Sequence, residues 1–299
     1  MKVLYSNQYY APIGEHHVFP MRKFEAIYET LRAEEVFTEA DVIRPYPASE
    51  EDLMTVHTVD YLHRLSDGLL TNWEKRLLGL PWSEQLVNRS KTAAQGTLMA
   101  ARIALRTAAA CNIGGGTHHA FPDRGEGFCV LNDVAIAIRV LQRDGWIKKA
   151  MVVDLDVHQG NGTAFIFSGD PSVFTYSIHG KNNYPLRKIA GDLDLALPDG
   201  TGDEVYLASL RESLLPKIYV FKPDIVFFLA GADPYINDKL GRLALTIPGL
   251  LLRDQLVVEL CKTASVPLVT VLSGGYAERT EDTVEIHCNT LRTVKTVFG

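Results

Sequence analysis

A short and almost entirely apolar segment, residues 150–155, is the feature that most constrains the fold. A strand this apolar is buried on both faces, which is typical of a parallel sheet covered by helices. Asp154, Asp156 and His158 stand at alternate positions at its end, so in extended backbone their side chains project to one face. Carboxylates crowded at a buried strand end repel each other unless a cation lies between them, so the segment predicts a metal site.

The same residues have a plainer interpretation, as a capping cluster between a strand and the next helix. A single aspartate would be ordinary in that position. Three titratable side chains in phase, followed by a sharp turn at Gly160 and Gly162, favour the metal site instead.

Apolar strands alternate with helical patterns along the rest of the chain, which predicts an α/β fold: a three-layer α/β/α sandwich with a mostly parallel central sheet. No linker, repeat or low-complexity tract interrupts it, so we expect a single domain over residues 1–299. Residues 15–24 are predicted to form a loop, and residues 69–90 a surface excursion that serves as a rim loop or an oligomer contact. The predicted strands are residues 2–5, 111–113, 150–155, 173–178, 224–229 and 266–272, and the predicted helices are residues 49–68, 83–107, 132–143, a short one around 164, 203–220, 248–262 and 283–297.

Charge and cysteine content exclude several classes of protein. The net charge is −6 and no block is dense in lysine or arginine, so we expect no direct nucleic-acid binding. The four cysteines form no CxxC pair, which is typical of buried thiols in a reducing compartment. No apolar run is long enough to span a membrane, so a cytoplasmic protein is expected. The oligomeric state stays open.

Four predicted strands end in polar, glycine-flanked residues. These are the pair His118 and His119, the group around Asp156 and His158, Asp233, and Tyr276. Sites in open α/β sheets form outside the carboxyl ends of the strands, so we expect the four ends to meet. Asp156, His158 and Asp233 would give a metal two carboxylates and one imidazole and leave a position for water, as in catalytic zinc sites. Ferrous iron accepts the same ligands.

The remaining polar residues suit amide hydrolysis. His118 and His119 are the acid and base candidates, although a lone histidine after glycines is more often a packed residue. Tyr276 suits the stabilisation of an oxyanion, although on its own it would be interpreted as a core tyrosine. A dinucleotide loop is excluded because the third glycine of GxGxxG would fall on His119, and Ser273 lies in no GxSxG motif.

Taken together, these residues resemble the histone deacetylase family of the arginase–deacetylase superfamily, and most of all its class IV members. The resemblance covers most of the chain and implies the arginase/deacetylase-like fold. It rests on six motifs in the family's order: Gly-Gly-Thr-His-His (115–119), Asp-Arg-Gly-Glu-Gly-Phe-Cys (123–129), Asp-Leu-Asp-Val-His-Gln-Gly-Asn-Gly (154–162), Gly-Ala-Asp (231–233), Asp-Lys-Leu-Gly (238–241) and Ser-Gly-Gly-Tyr (273–276).

The resemblance implies a role for each of these residues. Zinc would be held by Asp156, His158 and Asp233. His119 would be the main general base and acid, with His118 as its electrostatic companion. The other implied roles are a hydrogen bond from Asp154 to His118, orientation of His119 by Asn161, polarisation of the acyl carbonyl by Tyr276, a potassium ion near Asp154 and Ser177, a tunnel wall at Phe128, and substrate binding by the backbone of Gly127 and by Gly275.

Three positions depart from relatives of the family. Asn161 stands where class I enzymes carry aspartate, so the partner of His119 is neutral. The loop 180–184 does not reproduce the second tunnel phenylalanine of class I, which leaves the acyl preference open. Gly160 stands where arginases carry an additional metal-binding aspartate, which favours a single metal.

The predicted function is zinc-dependent hydrolysis of the amide of an N-acyl-lysine. One alternative keeps the fold and changes the substrate to an acetylated polyamine or another small amide. A second alternative is an inactive acyl-lysine binding module, which the complete set of ligands, histidines and Tyr276 disfavours, because a binder does not need them.

Overall fold

The computed structural model describes all 299 residues and contains one eight-stranded sheet in which every pair of neighbours is parallel. The spatial order of the strands is β2-β1-β3-β8-β7-β4-β5-β6. This confirms the predicted α/β class and its parallel sheet. The strands are β1 (Lys2–Leu4), β2 (Val42–Ile43), β3 (Ala109–Asn112), β4 (Ala150–Asp154), β5 (Val173–Gly180), β6 (Leu193–Leu197), β7 (Ile225–Leu229) and β8 (Leu268–Val271).

Ten α-helices connect the strands and pack in two groups, one around α5 and α6 and the other around α8, α9, α10 and α1. None of the ten combines the length and the apolar character that crossing a bilayer requires. The helices are α1 (Lys23–Ala33), α2 (Glu50–Leu53), α3 (Val59–Ser66), α4 (Asn72–Leu78), α5 (Glu84–Thr107), α6 (Asp133–Arg143), α7 (Asn161–Ile166), α8 (Asp203–Phe221), α9 (Ile247–Thr263) and α10 (Thr280–Phe298).

Helix α5 shows how the sequence forms the layers. Its N-cap Ser83 accepts a hydrogen bond from the amide of Leu86 (3.1 Å), which satisfies one of the free donors at the helix start. Small side chains such as Ala94 and Ala101 are fully buried and let the helix lie close to β1, β3 and β8. Strands β3, β4, β7 and β8 are buried along their whole length, as their apolar sequences predict.

The predicted helix over residues 49–68 is wrong, because the structure divides it into α2 and α3. The chain leaves the helical path at His57, which is buried and whose Nε2 accepts a hydrogen bond from the amide of Asn132 (3.0 Å). Thr58 then caps α3 by accepting from the amide of Tyr61 (3.2 Å). A tertiary contact and a second capping residue therefore override the helical periodicity.

Residues 69–90 are not the irregular excursion that was predicted. They contain α4 and the first turns of α5. Thr71 and Glu74 form a capping box at the start of α4, and Leu78 at its end is buried. The helix is thus a packed part of the fold.

Three further elements, α1, β2 and β6, were not predicted. Helix α1 buries Phe24, Ile27 and Leu31, whose spacing of three and four residues is a helical signal that the sequence already contains. Strands β2 and β6 lie at the two edges of the sheet. Strand β2 has only two residues, which is too short for a pattern. Strand β6 is partly buried and places Leu193, Leu195 and Leu197 at alternate positions, a strand signal that the sequence already contains.

The register of the sheet places the ends of four central strands at one level. Asp154 at the end of β4 lies opposite Leu229 of β7, Leu229 opposite Val271 of β8, and Val271 opposite Asn112 of β3. The segments that follow these strands therefore emerge side by side at the carboxyl edge of the sheet, where sites form in folds of this class.

Candidate active site

Three predicted metal ligands meet at this edge. His158 Nδ1 lies 3.0 Å from Asp156 Oδ1 and 3.2 Å from Asp233 Oδ2, and the three ligand atoms lie within 4.8 Å of one another. All three side chains are buried. The ligands of a tetrahedral zinc ion are about 3.4 Å apart when each bond is about 2.1 Å, so the spacing suits such an ion.

Hydrogen bonds fix the two carboxylates and leave one oxygen without a partner. Asp156 Oδ2 accepts from Ser273 Oγ and from the amide of Gly274 (both 2.8 Å), and Asp233 Oδ1 accepts from the amide of Val157 (2.8 Å). Asp233 Oδ2 is buried and accepts no hydrogen bond. An unsatisfied buried carboxylate oxygen costs free energy unless a cation binds it, so the residues fit a metal ion at this point.

The electrostatics of the pair support the same conclusion. Burial and the neighbouring Asp156 raise the pKa of Asp233 to about 7. Burial also acts to raise the pKa of Asp156, but His118 and His158 outweigh it and hold that pKa well below its usual range. Two buried carboxylates this close repel each other when both are ionised. A bound cation, or a proton on one of them, removes that repulsion.

The backbone of the strand ends is held by an arginine inside the core. Arg253 of α9 is fully buried and donates to the carbonyl oxygens of Leu155 (3.3 Å) and Gly231 (2.6 Å). It also pairs with Asp254, whose nearest oxygen is 2.7 Å away. This arginine ties the end of β4 to the end of β7, which keeps Asp156 and Asp233 at a fixed separation.

His118 forms a buried ion pair with Asp154. Its Nδ1 lies 2.6 Å from Asp154 Oδ2. Burial lowers the pKa of His118, but Asp154 and Asp156 outweigh it and raise that pKa to about 9. His118 is therefore positively charged at neutral pH. The turn before it is held by Asp133, which accepts from the amides of Gly116 (3.0 Å) and Thr117 (2.8 Å).

His119 is in the opposite state. Burial and the nearby His118 and His158 hold the pKa of His119 well below its usual range, so the ring is neutral. Its Nδ1 lies 2.7 Å from Asn161 Oδ1, and Asn161 Nδ2 donates to Glu126 Oε1 (3.1 Å). A carboxylate has no proton to donate, so Asn161 turns its nitrogen to Glu126 and its oxygen to His119. His119 then carries its proton on Nδ1 and leaves Nε2 free to accept one.

Tyr276 faces the same space from the loop after β8. Its amide donates to Asp238 Oδ2 (2.6 Å), and Asp238 Oδ1 accepts from the amides of Leu240 and Gly241 (both 2.8 Å). Its ring centroid lies 6.3 Å from that of His158. Burial and the carboxylates of the metal cluster raise the pKa of Tyr276 well above its usual range, so its hydroxyl stays protonated and can donate.

A funnel of about 530 Å³ leads from the surface to His119, His158 and Tyr276. Phe128 lines one wall, as predicted. Gly127 beside it has a φ of +55°, and a Cβ there would lie 2.7 Å from His119 Cδ2, so only glycine fits. The amide of Gly127 donates to the carbonyl of Leu77 (3.1 Å).

The sequence analysis assigned no role to Tyr184, which lines this funnel, or to Glu126, which lies beside it. The ring of Tyr184 packs edge-on against His119, with centroids 5.0 Å apart, and forms a second aromatic wall in the loop that does not reproduce the class I phenylalanine. Its hydroxyl donates to Glu126. The available signals were an aromatic residue in the loop after β5 and an acidic residue between two glycines, Gly125 and Gly127.

A smaller cavity of about 30 Å³ lies beneath the funnel. Phe19, Phe24 and Arg89 line it, together with Gly274 and the metal-cluster residues Asp156 and His158. Gly275 is not among the residues that line the cavity or the funnel. A Cβ on Gly275 would instead meet Thr283 of α10 at 2.8 Å, so this glycine faces away from the predicted substrate path.

The predicted residues of the monovalent cation site are neighbours. Asp154 of β4 and Ser177 of β5 lie opposite each other in register and line a common cavity of about 10 Å³. Ser177 Oγ lies 2.9 Å from His179 Nδ1. This cavity lies on the side of β4 away from β7.

Similarity to known proteins extends over most of the chain. A family model described as "Histone deacetylase domain" matches residues 17–291. An uncharacterized protein of Picosynechococcus is 44% identical over 296 residues, which is 99% of both chains. Histone deacetylase 2 of Arabidopsis thaliana is 29% identical and matches 92% of this chain and 74% of its own. The acetoin utilization protein AcuC of Staphylococcus aureus is 28% identical and matches 87% and 72%.

A solved structure, the crystal structure of the HDA15 HD domain, has the same fold. The TM-score is 0.83, and the match covers 98% of this chain and 90% of the other. Sequence identity is 24%, so this likeness concerns the fold alone.

Proposed function

The chain belongs to the histone deacetylase family, and on that premise we propose that it is a zinc-dependent lysine deacylase that hydrolyses the amide of an N-acyl-lysine. The observation that carries the proposal is the convergence of Asp156, His158 and Asp233 on one point, with His119 and Tyr276 facing it at the base of an open funnel. A zinc ion held there would polarise the acyl carbonyl and lower the pKa of a water molecule.

Residues of the chain would carry out the proton transfers and stabilise the developing negative charge. Neutral His119 accepts a proton from the attacking water at Nε2, because its other nitrogen is committed to Asn161. It then returns that proton to the departing lysine amine. The hydroxyl of Tyr276 donates to the oxygen on which negative charge develops, and charged His118 stabilises the same charge from further away.

The residues that line the funnel would orient the substrate. The aromatic rings of Phe128 and Tyr184 border the aliphatic part of the acyl-lysine and exclude water from it. The carbonyl of Gly127 accepts from the substrate amide. A potassium ion between Asp154 and Ser177 is proposed to hold the end of β4, on the support of their adjacency. The four free, buried cysteines favour a reducing compartment such as the cytoplasm.

The test is turnover of an Nε-acetyl-lysine peptide by purified protein after loading with zinc, followed by release of acetate and free lysine. We expect turnover that a chelator abolishes and that added zinc restores. A series of acyl chains on the same peptide gives the acyl preference. A folded, zinc-loaded protein with tight peptide binding and no turnover would contradict the proposal and favour a binding module.

A further inference from the structure

The mouth of the funnel carries an unusual charge for this chain. Three segments, residues 76–79, 181–187 and 239–242, supply most of its outer wall, and we call them the rim segments. They contain five basic residues and no aspartate or glutamate, although the whole chain has a net charge of −6. All five are exposed: Arg76, Lys181, Arg187, Lys239 and Arg242.

Almost none of this positive charge is neutralised by the protein. Arg242 pairs with Asp199 at 3.3 Å, with both side chains exposed. Arg76 lines the funnel without an ion pair, and Lys181, Arg187 and Lys239 have none either. A cleft bordered by charge of one sign attracts ligands of the opposite sign and repels those of its own.

Two carboxylates lie beside the funnel. Asp199 accepts from Asn182 (3.3 Å) and is paired with Arg242, so it neutralises one of the five charges. Glu126 is buried, and its oxygens are engaged by Tyr184, Asn161 and Arg124. A substrate chain that crosses the mouth therefore meets cations and the side chain of Leu186, which is 92% exposed. No exposed carboxylate of the rim segments is available to pair with a basic substrate.

We propose that the rim segments select an acyl-lysine that lies in an acidic protein segment, with aspartate or glutamate within a few residues of the modified lysine. Lysine-rich tails and cationic small amides are disfavoured. This inference rests on the proposed function, because it names the class of substrate that reaches the same site. It is independent of the chemistry at the metal cluster.

The first experiment compares three acetyl-lysine peptides of equal length, with two aspartates, two serines or two lysines beside the acetyl-lysine. We expect kcat/KM to fall in that order. Exposed ion pairs each change affinity by about 1.4- to 5-fold, so the two aspartates should separate the acidic peptide from the serine peptide by roughly 2- to 25-fold. The acidic and basic peptides should differ by at least as much. The difference should shrink at high salt, because the Debye length falls from about 10 Å at 0.1 M to about 3 Å at 1 M. N-acetylspermidine should rank with the basic peptide.

The second experiment reverses the charge of two residues of the rim segments. Arg76→Glu, Arg242→Glu and the double variant should reduce or invert the order of the peptides. Arg211→Glu is the matched control, because it makes the same change of charge at an exposed residue of α8 that does not line the funnel. Arg211→Glu should leave the order of the three peptides unchanged, because this residue lies outside the funnel. The measured quantity is the ratio of kcat/KM between the acidic and basic peptides, so a general loss of turnover in a rim variant does not affect the comparison.

The two proposals fail in different ways. If no peptide is turned over, the proposed function is contradicted, and fluorescence anisotropy of the same three peptides, labelled, still decides the inference. If the serine peptide is turned over and the acidic and basic peptides are equal in kcat/KM and in binding, the inference is overturned and the proposed function stands. Equal effects of Arg76→Glu and Arg211→Glu would likewise overturn it.

Discussion

The base of the funnel and its mouth are built in different ways. The base consists of Asp156, His158, Asp233, His119 and Tyr276, which are buried at the ends of strands in one sheet and fixed by hydrogen bonds. The mouth consists of the end of helix α4 and two loops, and its charged side chains are exposed and largely unpaired. The residues that need a fixed geometry for the chemistry are thus held at the rigid sheet. The residues that distinguish one substrate from another lie on the segments that connect its strands.

The comparison predicts that the effect of a substitution falls from the base to the mouth. The largest effect is expected for the metal cluster. Asp233→Asn should reduce turnover by on the order of 10³-fold or more, because a bound metal contributes several kcal/mol to the reaction. Zinc should also stabilise the wild-type protein against unfolding by about 2.7 kcal/mol at a concentration 100-fold above its Kd, and much less in the variant.

Thermal unfolding with and without zinc measures this stabilisation without any substrate. Asp199→Asn is the control, because it removes the same charge from the exposed partner of Arg242. Equal stabilisation of wild type and Asp233→Asn by zinc would mean that the ion binds somewhere else.

His119 is expected to rank next. His119→Ala should lower kcat by on the order of 10²–10⁴-fold, since the variant loses the group that accepts and returns the proton. Steady-state kinetics on the acetyl-lysine peptide gives the value. Activity within about threefold of wild type would remove His119 from the mechanism.

Tyr276→Phe is expected to lower kcat by about 10²–10³-fold, because the buried hydroxyl is kept protonated and donates to the developing negative charge. The backbone contacts of Tyr276 with Asp238 are unaffected by the change. A defect confined to KM would show that the hydroxyl only binds the ground state.

The difference between the base and the mouth of the funnel also explains which residues of the site could be predicted from the sequence. Asp154, Asp156 and His158 alternate in the sequence, which predicts that they share one face of an extended backbone. In the structure β4 ends at Asp154, and Asp156 and His158 lie in the segment that follows it. That Asp233 joins them follows from the rule that strands of a parallel sheet end at one edge. The first signal is local in the sequence and the second follows from the sheet topology. The register of β4 with β7 brings the two strand ends to the same level, as both signals require.

The mouth gave no such signal. Tyr184 reaches Glu126, which is 58 residues away in the chain, across a loop whose path is set by contacts and not by periodicity. Helix α4, whose end forms part of the mouth, was not predicted because its seven residues are too few for a clear pattern. The sequence therefore shows which residues the loops contain, but it does not predict where those residues lie relative to the site.

Glu126 lies between the two regions and should show an intermediate effect. Glu126→Ala removes the acceptor that keeps the nitrogen of Asn161 away from His119, so the carboxamide can turn over and His119 can lose its required tautomer. We expect a loss of about 10–100-fold in kcat. Glu126→Gln, which keeps an acceptor oxygen, should retain most of the activity. Nitrogen-15 NMR of the His119 ring reports the tautomer directly, and an unchanged spectrum in Glu126→Ala would exclude this explanation.

Tyr184→Phe is expected to have the smallest effect and tests where the base ends and the mouth begins. The substitution keeps the ring that packs against His119 and removes only the hydroxyl that donates to Glu126. Glu126 still accepts from Asn161, so the loss of one hydrogen bond should cost about 2- to 10-fold in kcat/KM. Tyr184→Ala is the informative partner, because it opens the wall and should raise KM while His119 keeps its tautomer. A loss for Tyr184→Phe as large as that for His119→Ala would mean that the hydroxyl takes part in the chemistry, and the boundary between the two regions would then move outward to this loop.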